Sequence, residues 1–285
     1  MTDTAPDFRP LPLPTPESFR YEERERVGVI TLSRPDRFNA LTFAVYRELT
    51  DFFLTIDRRS LDPSGEGARA LVLQGEGRAF CSGGDVEDII KYLFQRDAEG
   101  LLRFTRMTGE LIHAMRRCKL PIVASVKRVA AGAGAVMALA SDLRVMGEKS
   151  FFAFLFPQVG LSGADMGASY LLPRLVGLGR ASEILMTGDR VYAERCLQIG
   201  LANRVVDDTE DRANVDREAF ALAKKLADGP HFAVRMTKTM LQKELDMSFT
   251  DAIEAEAQAQ TICMQHPDFR EASAARDEKR APRWK

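Results

Sequence analysis

The sequence predicts an α/β protein. Three observations lead there: short runs rich in Val and Ile recur between residues 26 and 146, amphipathic stretches at helical spacing stand between them, and glycine-bearing turns join strand to helix. That order places a mostly parallel sheet beneath covering helices. Of the 285 residues 45% are apolar and 28% charged, enough for one full core.

Each element follows from local chemistry. Residues 1–18 read as a flexible arm, with Pro6, Pro10, Pro12, Pro14 and Pro16, no apolar core of a secretory signal and no Arg/Ser-rich amphipathic pattern of an import signal. Residues 26–33 form a Val/Ile/Thr strand that Arg34-Pro35-Asp36 breaks. Thr42 is a candidate N-cap for a helix through Asp57, with Val45, Leu49, Phe52, Phe53 and Ile56 on one face. A loop over 62–67 leads to a buried strand at 70–74, then to a turn at 80–85 whose Asp85 can cap the next helix. A helix over 101–117 stops at Lys119-Leu120-Pro121, a third buried strand covers 122–126, a helix of small residues covers 130–140, and a strand follows at 143–146.

From Gly177 onward helices dominate, at 180–187, 193–198, 215–226, 232–244 and 249–264, with one short strand at 204–206. The expected division is therefore an arm at 1–18, a core at 19–205 and a helical region at 206–285, the last a subdomain or an oligomer arm. The charged segment 271–285 should be exposed or docked on a neighbour.

Forty basic against forty-one acidic side chains give a net charge of -1, which argues against nucleic acid as a partner. No apolar stretch approaches the roughly 20 residues of a membrane helix. Cys81, Cys118, Cys196 and Cys263 are too few and too scattered for a disulfide framework, so reduced thiols and a cytoplasmic location are expected. His113, His231 and His266 show no metal-ligand spacing, and no G-x-S-x-G elbow occurs. No metal and no cofactor are expected.

Two turns carry the chemistry, at 79–85 (Ala-Phe-Cys-Ser-Gly-Gly-Asp) and 129–136 (Val-Ala-Ala-Gly-Ala-Gly-Ala-Val). Each delivers a strand to a helix N-terminus, where unpaired N–H groups and the positive end of the helix dipole face outward. Two such donors converging on one point would stabilise negative charge on oxygen. The alternatives are two ordinary tight turns, or a dinucleotide fingerprint at Gly132-Ala-Gly134. The fingerprint fails because its third glycine is Met137 and residues 127–131 separate strand from glycines. Cys81 beside the first turn is either a small packed side chain or a reactive thiol.

From Tyr21 onward the chain resembles the crotonase superfamily, the enoyl-CoA hydratase/isomerase family. The matching stretches are Arg34-Pro35 with Asn39-Ala40-Leu41, the two glycine turns, residues 119–126, Ser141-Asp142, and 185–189 through Ala193 to Gly200-Leu201. The resemblance implies a crotonase-type spiral of ββα units with a C-terminal helical trimerisation region, as a homo-trimer or hexamer. It implies an acyl-CoA thioester as ligand, with coenzyme A only as part of the substrate. The thioester carbonyl would lie between the backbone N–H groups of Ser82 and Ala133. Phe80, Ser82, Gly83, Gly84, Asp85 and Val86, with Arg37, Ala40 and Gly132, would line the coenzyme pocket. Lys279 would be either a phosphate contact, offered from a neighbouring subunit, or a solvated tail charge.

The hydratase's two glutamates fall on Val136 and Phe156, neither of which can move a proton. Both positions should face the acyl group, which together with Phe151, Phe152, Phe154 and Leu155 suggests a bulky or cyclic acyl chain. Asp165, counted back from Gly177, matches the aspartate that dienoyl-CoA isomerases use. It is either a proton carrier, with a pKa raised by an apolar loop, or the cap of a helix beginning near Met166. The resemblance thus favours double-bond isomerisation. A hydratase of atypical mechanism, a C–C hydrolase or ring-forming enzyme of the naphthoate-synthase kind, and a catalytically silent acyl-CoA binder are the alternatives.

Overall fold

The computed structural model describes residues 12–60 and 67–285. The elements run β1 (Phe19–Arg24), β2 (Val27–Leu32), α1 (Phe43–Arg59), β3 (Ala70–Gly75), α2 (Lys91–Leu93), α3 (Ala98–Arg117), β4 (Ile122–Val126), β5 (Val129–Ala131), α4 (Ala133–Ala140), β6 (Leu143–Gly147) and β7 (Phe151–Ala153). They continue with α5 (Ala168–Val176), α6 (Leu178–Thr187), β8 (Arg190–Tyr192), α7 (Ala193–Gln198), β9 (Arg204–Val206), α8 (Ala213–Ala227), α9 (His231–Lys243), α10 (Phe249–Gln265) and α11 (Pro267–Asp277).

Six strands form the main sheet in the order β1-β2-β3-β4-β6-β9, and β5-β7-β8 form a second, smaller one. Only β1 runs antiparallel in the main sheet. The inner strands are apolar on both faces, as a covered parallel sheet requires. Ile30, Leu71, Leu73 and Ile122 point into a cluster shared with Leu49, Phe52 and Phe53 of α1 and with α4. Val27, Val29, Val72, Val123 and Val145 face the other way, onto Val215, Ala219, Ala223 and Ala227 of α8. Four small residues at four-residue spacing make one flat stripe, so α8 lies close to the strands.

Two buried ion pairs fasten the later helices to this core. Lys127 Nζ lies 2.5 Å from Asp216 of α8, whose other oxygen accepts from the Ser125 hydroxyl at 2.6 Å. Lys238 of α9 lies 2.6 Å from Asp142 and donates to the Leu120 carbonyl at 2.7 Å.

Several expectations need correction. β1 lies where no strand was expected; its sequence is mostly charged, and Phe19 alone of its residues is buried. The arm ends in a clamp, since Glu17 and Ser18 donate their amides to the Glu48 carboxylate at 2.6 and 2.7 Å. The helix expected from residue 130 starts at Ala133, because Val129–Ala131 pair with β7 instead. The gap argued against a dinucleotide turn is therefore filled by a short strand, while the missing third glycine stands. β7 and β8 are three residues each, too short to show a period. Residues 1–11 of the expected arm, and the expected loop except Gly67, lie outside the described residues.

Candidate active site

The two glycine turns are bound side by side. Cys81 donates its N–H to the Val129 carbonyl at 3.0 Å, and Ala131 donates to the Cys81 carbonyl at 2.9 Å. This parallel bridge leaves Ser82-Gly83-Gly84 and Gly132-Ala133 as neighbouring chain ends, each just past a strand-like pairing. Gly83 and Gly132 both hold positive φ, +102° and +49°, and a methyl built on Gly83 would sit 3.5 Å from the Ala133 nitrogen. A side chain at either position would be strained, and one at Gly83 would also press on the Ala131 carbonyl at 3.1 Å.

The first turn is held from outside by residues 34–41. Asn39, 1% exposed, donates its side-chain amide to the carbonyls of Ala79 and Glu76 at 2.8 and 3.0 Å. Leu41 donates to Gly83 O and accepts from Asp85 N, both at 2.8 Å. The Asn39 role was missed in the sequence, where it served only as a matching residue; its signal is a polar residue placed between a strand break and Ala40-Leu41.

The Ser82 N–H, expected to face a thioester oxygen, donates instead to the Phe38 carbonyl at 3.0 Å. Phe38 turns back with φ +50° and brings its carbonyl over the turn, which satisfies that donor. Two residues on, the Gly84 N–H has no protein acceptor among the described residues, and neither does the Ala133 N–H at the first position of α4. Gly132 opens α4 with no side-chain cap, so the dipole end of the helix is left uncovered there.

Asp85 caps the turn of π-helix at Val86–Ile90, accepting from Glu87 N at 2.9 Å and Asp88 N at 3.2 Å, and pairs with Arg34 at 2.9 Å. Burial opposes its ionisation, but the Asp88 amide, Arg34 and the Glu87 amide outweigh it and hold the carboxyl below its usual range. Its side chain is thus consumed in the scaffold rather than offered to a ligand. Phe80, 0% exposed, likewise gives its ring to the core and only its main chain to the turn. Arg37 and Val86 are exposed, Ala40 is buried, and Lys279 is on the surface after α11 with φ +54°. Among the described residues Lys279 makes no ion pair.

Val136 is fully buried in α4, and Phe156 starts a short 3-10 turn at 8% exposure. Phe152 and Phe154 stack with centroids 6.2 Å apart in the core behind them. Asp165 is half-buried, and desolvation raises its pKa against the opposing Met166 amide. It does not cap a helix with its carboxylate. α5 begins at Ala168, its N-cap is Gly167 without a side-chain bond, and what Asp165 contributes is its carbonyl, accepting from Ala168 N at 2.8 Å.

Tyr46 of α1 is buried in the same core cluster as Phe80 and Cys81. It is 2% exposed, and burial above all pushes its pKa well up, so the phenol stays protonated. Cys81 itself is fully buried and pushed up to about 12 by desolvation, which leaves it a packed thiol and not a nucleophile. All four cysteines are free. Among the described residues no group of His, Cys, Asp and Glu is arranged to hold a metal ion, and no helix is long and apolar enough to cross a membrane.

Similarity to known proteins bears on this arrangement. The crystal structure of a putative enoyl-CoA hydratase from Streptomyces coelicolor superposes with a TM-score of 0.91 at 46% identity, covering 100% of this chain and 99% of that one. A probable enoyl-CoA hydratase of Rhodobacter capsulatus is 36% identical over 94% of this chain and 97% of its own length. The 1,2-epoxyphenylacetyl-CoA isomerase of Escherichia coli is 28% identical over 90% and 94%. Residues 22–285 match the model of the enoyl-CoA hydratase/isomerase family. Near-complete coverage in fold and sequence places the paired turns in a known frame, and this chain belongs to the enoyl-CoA hydratase/isomerase family.

Proposed function

We propose that the protein binds an acyl-CoA thioester with its carbonyl oxygen between the main-chain N–H groups of Gly84 and Ala133, and moves a double bond by proton transfer at Asp165. The observation that carries this reading is the pair of unbonded amides on two turns locked together by the Cys81 bridge. Hydrogen bonds from both would stabilise the enolate formed when a proton leaves the carbon beside the carbonyl. Losing one such donor costs about 10²–10³ in rate. Gly84 takes the place first assigned to Ser82, whose N–H is committed to Phe38.

Asp165 supports isomerisation over hydration. Desolvation raises the pKa of Asp165, which eases both taking and returning a proton, and a double-bond shift needs one such group serving two carbons. Hydration needs a carboxylate to activate water, and Val136 and Phe156 provide none. The hydratase names of the relatives keep the second reading alive, with an acid other than the usual pair.

For the coenzyme, Arg37, Ala40, Val86 and the main chain at Gly83 and Gly132 are the candidate contacts, with Lys279 from a neighbouring subunit. Trimer formation is part of the same proposal. Phe249, Ile262 and Phe269 of α10 and α11 are 81%, 49% and 58% exposed, more apolar surface than one copy would leave in water.

The test is incubation of the protein with enoyl-, dienoyl- and cyclic acyl-CoA esters in deuterated water. Deuterium uptake without mass gain of a water supports isomerisation. Net addition of water favours the hydratase, cleavage or ring formation favours the C–C chemistry, and binding without change favours a silent binder.

A further inference from the structure

A cavity of about 760 Å³ lies between α3, α5 and residues 242–247. That volume is in the range of small-molecule sites. Met166 and Gly167, the two residues that follow Asp165 in the chain, form part of its wall, so it adjoins the loop that carries that carboxylate. Ile112, Met166 and Leu171 form this wall and are 5%, 7% and 8% exposed, a packed apolar surface.

Part of the lining is basic. Arg116 and Arg117 at the end of α3 and Lys243 at the end of α9 line the cavity. Asp246 is the one acidic residue lining it, and it is already engaged: it accepts from the Tyr170 hydroxyl at 2.8 and 2.9 Å and lies 3.6 Å from Arg174. Among the described residues no carboxylate lies within ion-pair distance of Arg116, Arg117 or Lys243. Three cations thus line one chamber whose only acid is taken, and Arg116 stands one turn of α3 beyond the apolar Ile112.

We propose that this cavity holds the distal part of the bound acyl group, and that this part ends in an anionic group such as a carboxylate. The inference rests on the acyl-CoA reading above and narrows its substrate class. An apolar stem would run over Ile112, Met166 and Leu171, where each methylene removed from water favours binding. The terminal carboxylate would reach the arginines, whose planar donors suit it in pairs. A plain alkyl chain in the same chamber would bring no counter-charge to these cations, of which Arg117 and Lys243 are exposed to water and Arg116 half-buried.

The test compares two saturated esters of equal length, octanoyl-CoA and 7-carboxyheptanoyl-CoA, with free CoA as reference, by titration calorimetry. The wild-type protein is expected to bind the carboxylated ester about tenfold more tightly than octanoyl-CoA, a difference of about 1.4 kcal/mol. In the combined variant Arg116→Gln, Arg117→Gln, Lys243→Gln that ratio should fall to about one. Equal affinities in the wild-type protein, or a ratio that survives in the variant, overturn the inference while leaving the acyl-CoA reading standing. A change of subunit number with the ratio intact would show that the basic lining serves a second copy of the chain, and also overturns it. Binding of neither ester nor of CoA removes the underlying reading itself.

Discussion

Ala131 donates its main-chain N–H to the carbonyl of Cys81 at 2.9 Å, and through that bond the end of β5 sets the position of the turn that follows Phe80. The catalytic proposal depends on this register. Among the neighbouring donors, the Gly83 N–H points to the Cys81 Sγ at 3.5 Å, and those of Asp85 and Gly132 are bonded to the Leu41 and Ala153 carbonyls.

The tightest point in the register is Gly134. A methyl built there meets the Cys81 carbonyl and lies 2.7 Å from its Cβ, with main chain on the near side. Gly134→Ala should therefore push the turns apart, costing about 1–3 kcal/mol of stability and most of the turnover. Thermal unfolding with a turnover assay checks this; an unchanged melting temperature would show that the two turns can separate freely.

Asp165→Asn should lower turnover by about 10²–10⁴ while acyl-CoA binding survives. It should also affect stability in a sign that is informative. The folded pKa of Asp165 is raised, so the ionised form is disfavoured in the folded protein and stability declines as pH rises through that pKa. At pH 7 the asparagine variant should then be at least as stable as wild type, and the difference should vanish below about pH 3.9, where the aspartic acid is neutral in both states. Unfolding curves at pH 7 and pH 3.5 measure it. Wild-type turnover in the variant would remove Asp165 from the mechanism.

Asp85 gives the opposite pH sign. Its folded pKa is depressed, so its contribution is present above the ordinary carboxylate value near 3.9 and disappears as pH falls through the folded value. Asp85→Asn should cost about 1–3 kcal/mol at neutral pH, since Arg34 and two amides lose their charged acceptor. Urea titrations of both proteins at pH 7 and at pH 3 should show the gap closing in acid.

Lys238→Met tests how the last helices are held. The lysine is 7% exposed between Asp142 and the Leu120 carbonyl, and removing it strands a carboxylate that also accepts from Ile122 N at 2.7 Å. A loss of about 3 kcal/mol is expected. Faster proteolytic cleavage between α8 and α9 should accompany it, and a variant cut at the wild-type rate would show that other contacts dock α9.

Much of the frame was legible because the inner strands are apolar on both faces. Val27 to Leu32, Ala70 to Gln74 and Ile122 to Val126 announce themselves by composition, and Thr42 and Asp85 act as the caps their positions suggest. The three-residue strands β7 and β8 were hidden because their pairing is decided by distant chain, not by local period. β1 was hidden because an edge strand with one buried residue reads as polar surface. In the site, the motif marks both turns, but not that the Ser82 N–H is already bonded. That depends on the Phe38 carbonyl swinging over Ser82, a consequence of two successive left-handed residues at Phe38 and Asn39 that no spacing rule reveals. The cap reading of Asp165 failed for a similar reason, since Met166 and Gly167 both take positive φ and delay the helix to Ala168.

A crystal structure with a non-reactive acyl-CoA analogue bound measures the decisive geometry. The account predicts the thioester oxygen about 2.7–3.1 Å from the nitrogens of both Gly84 and Ala133. An oxygen out of reach of either nitrogen, with the ester bound elsewhere on the chain, would contradict it.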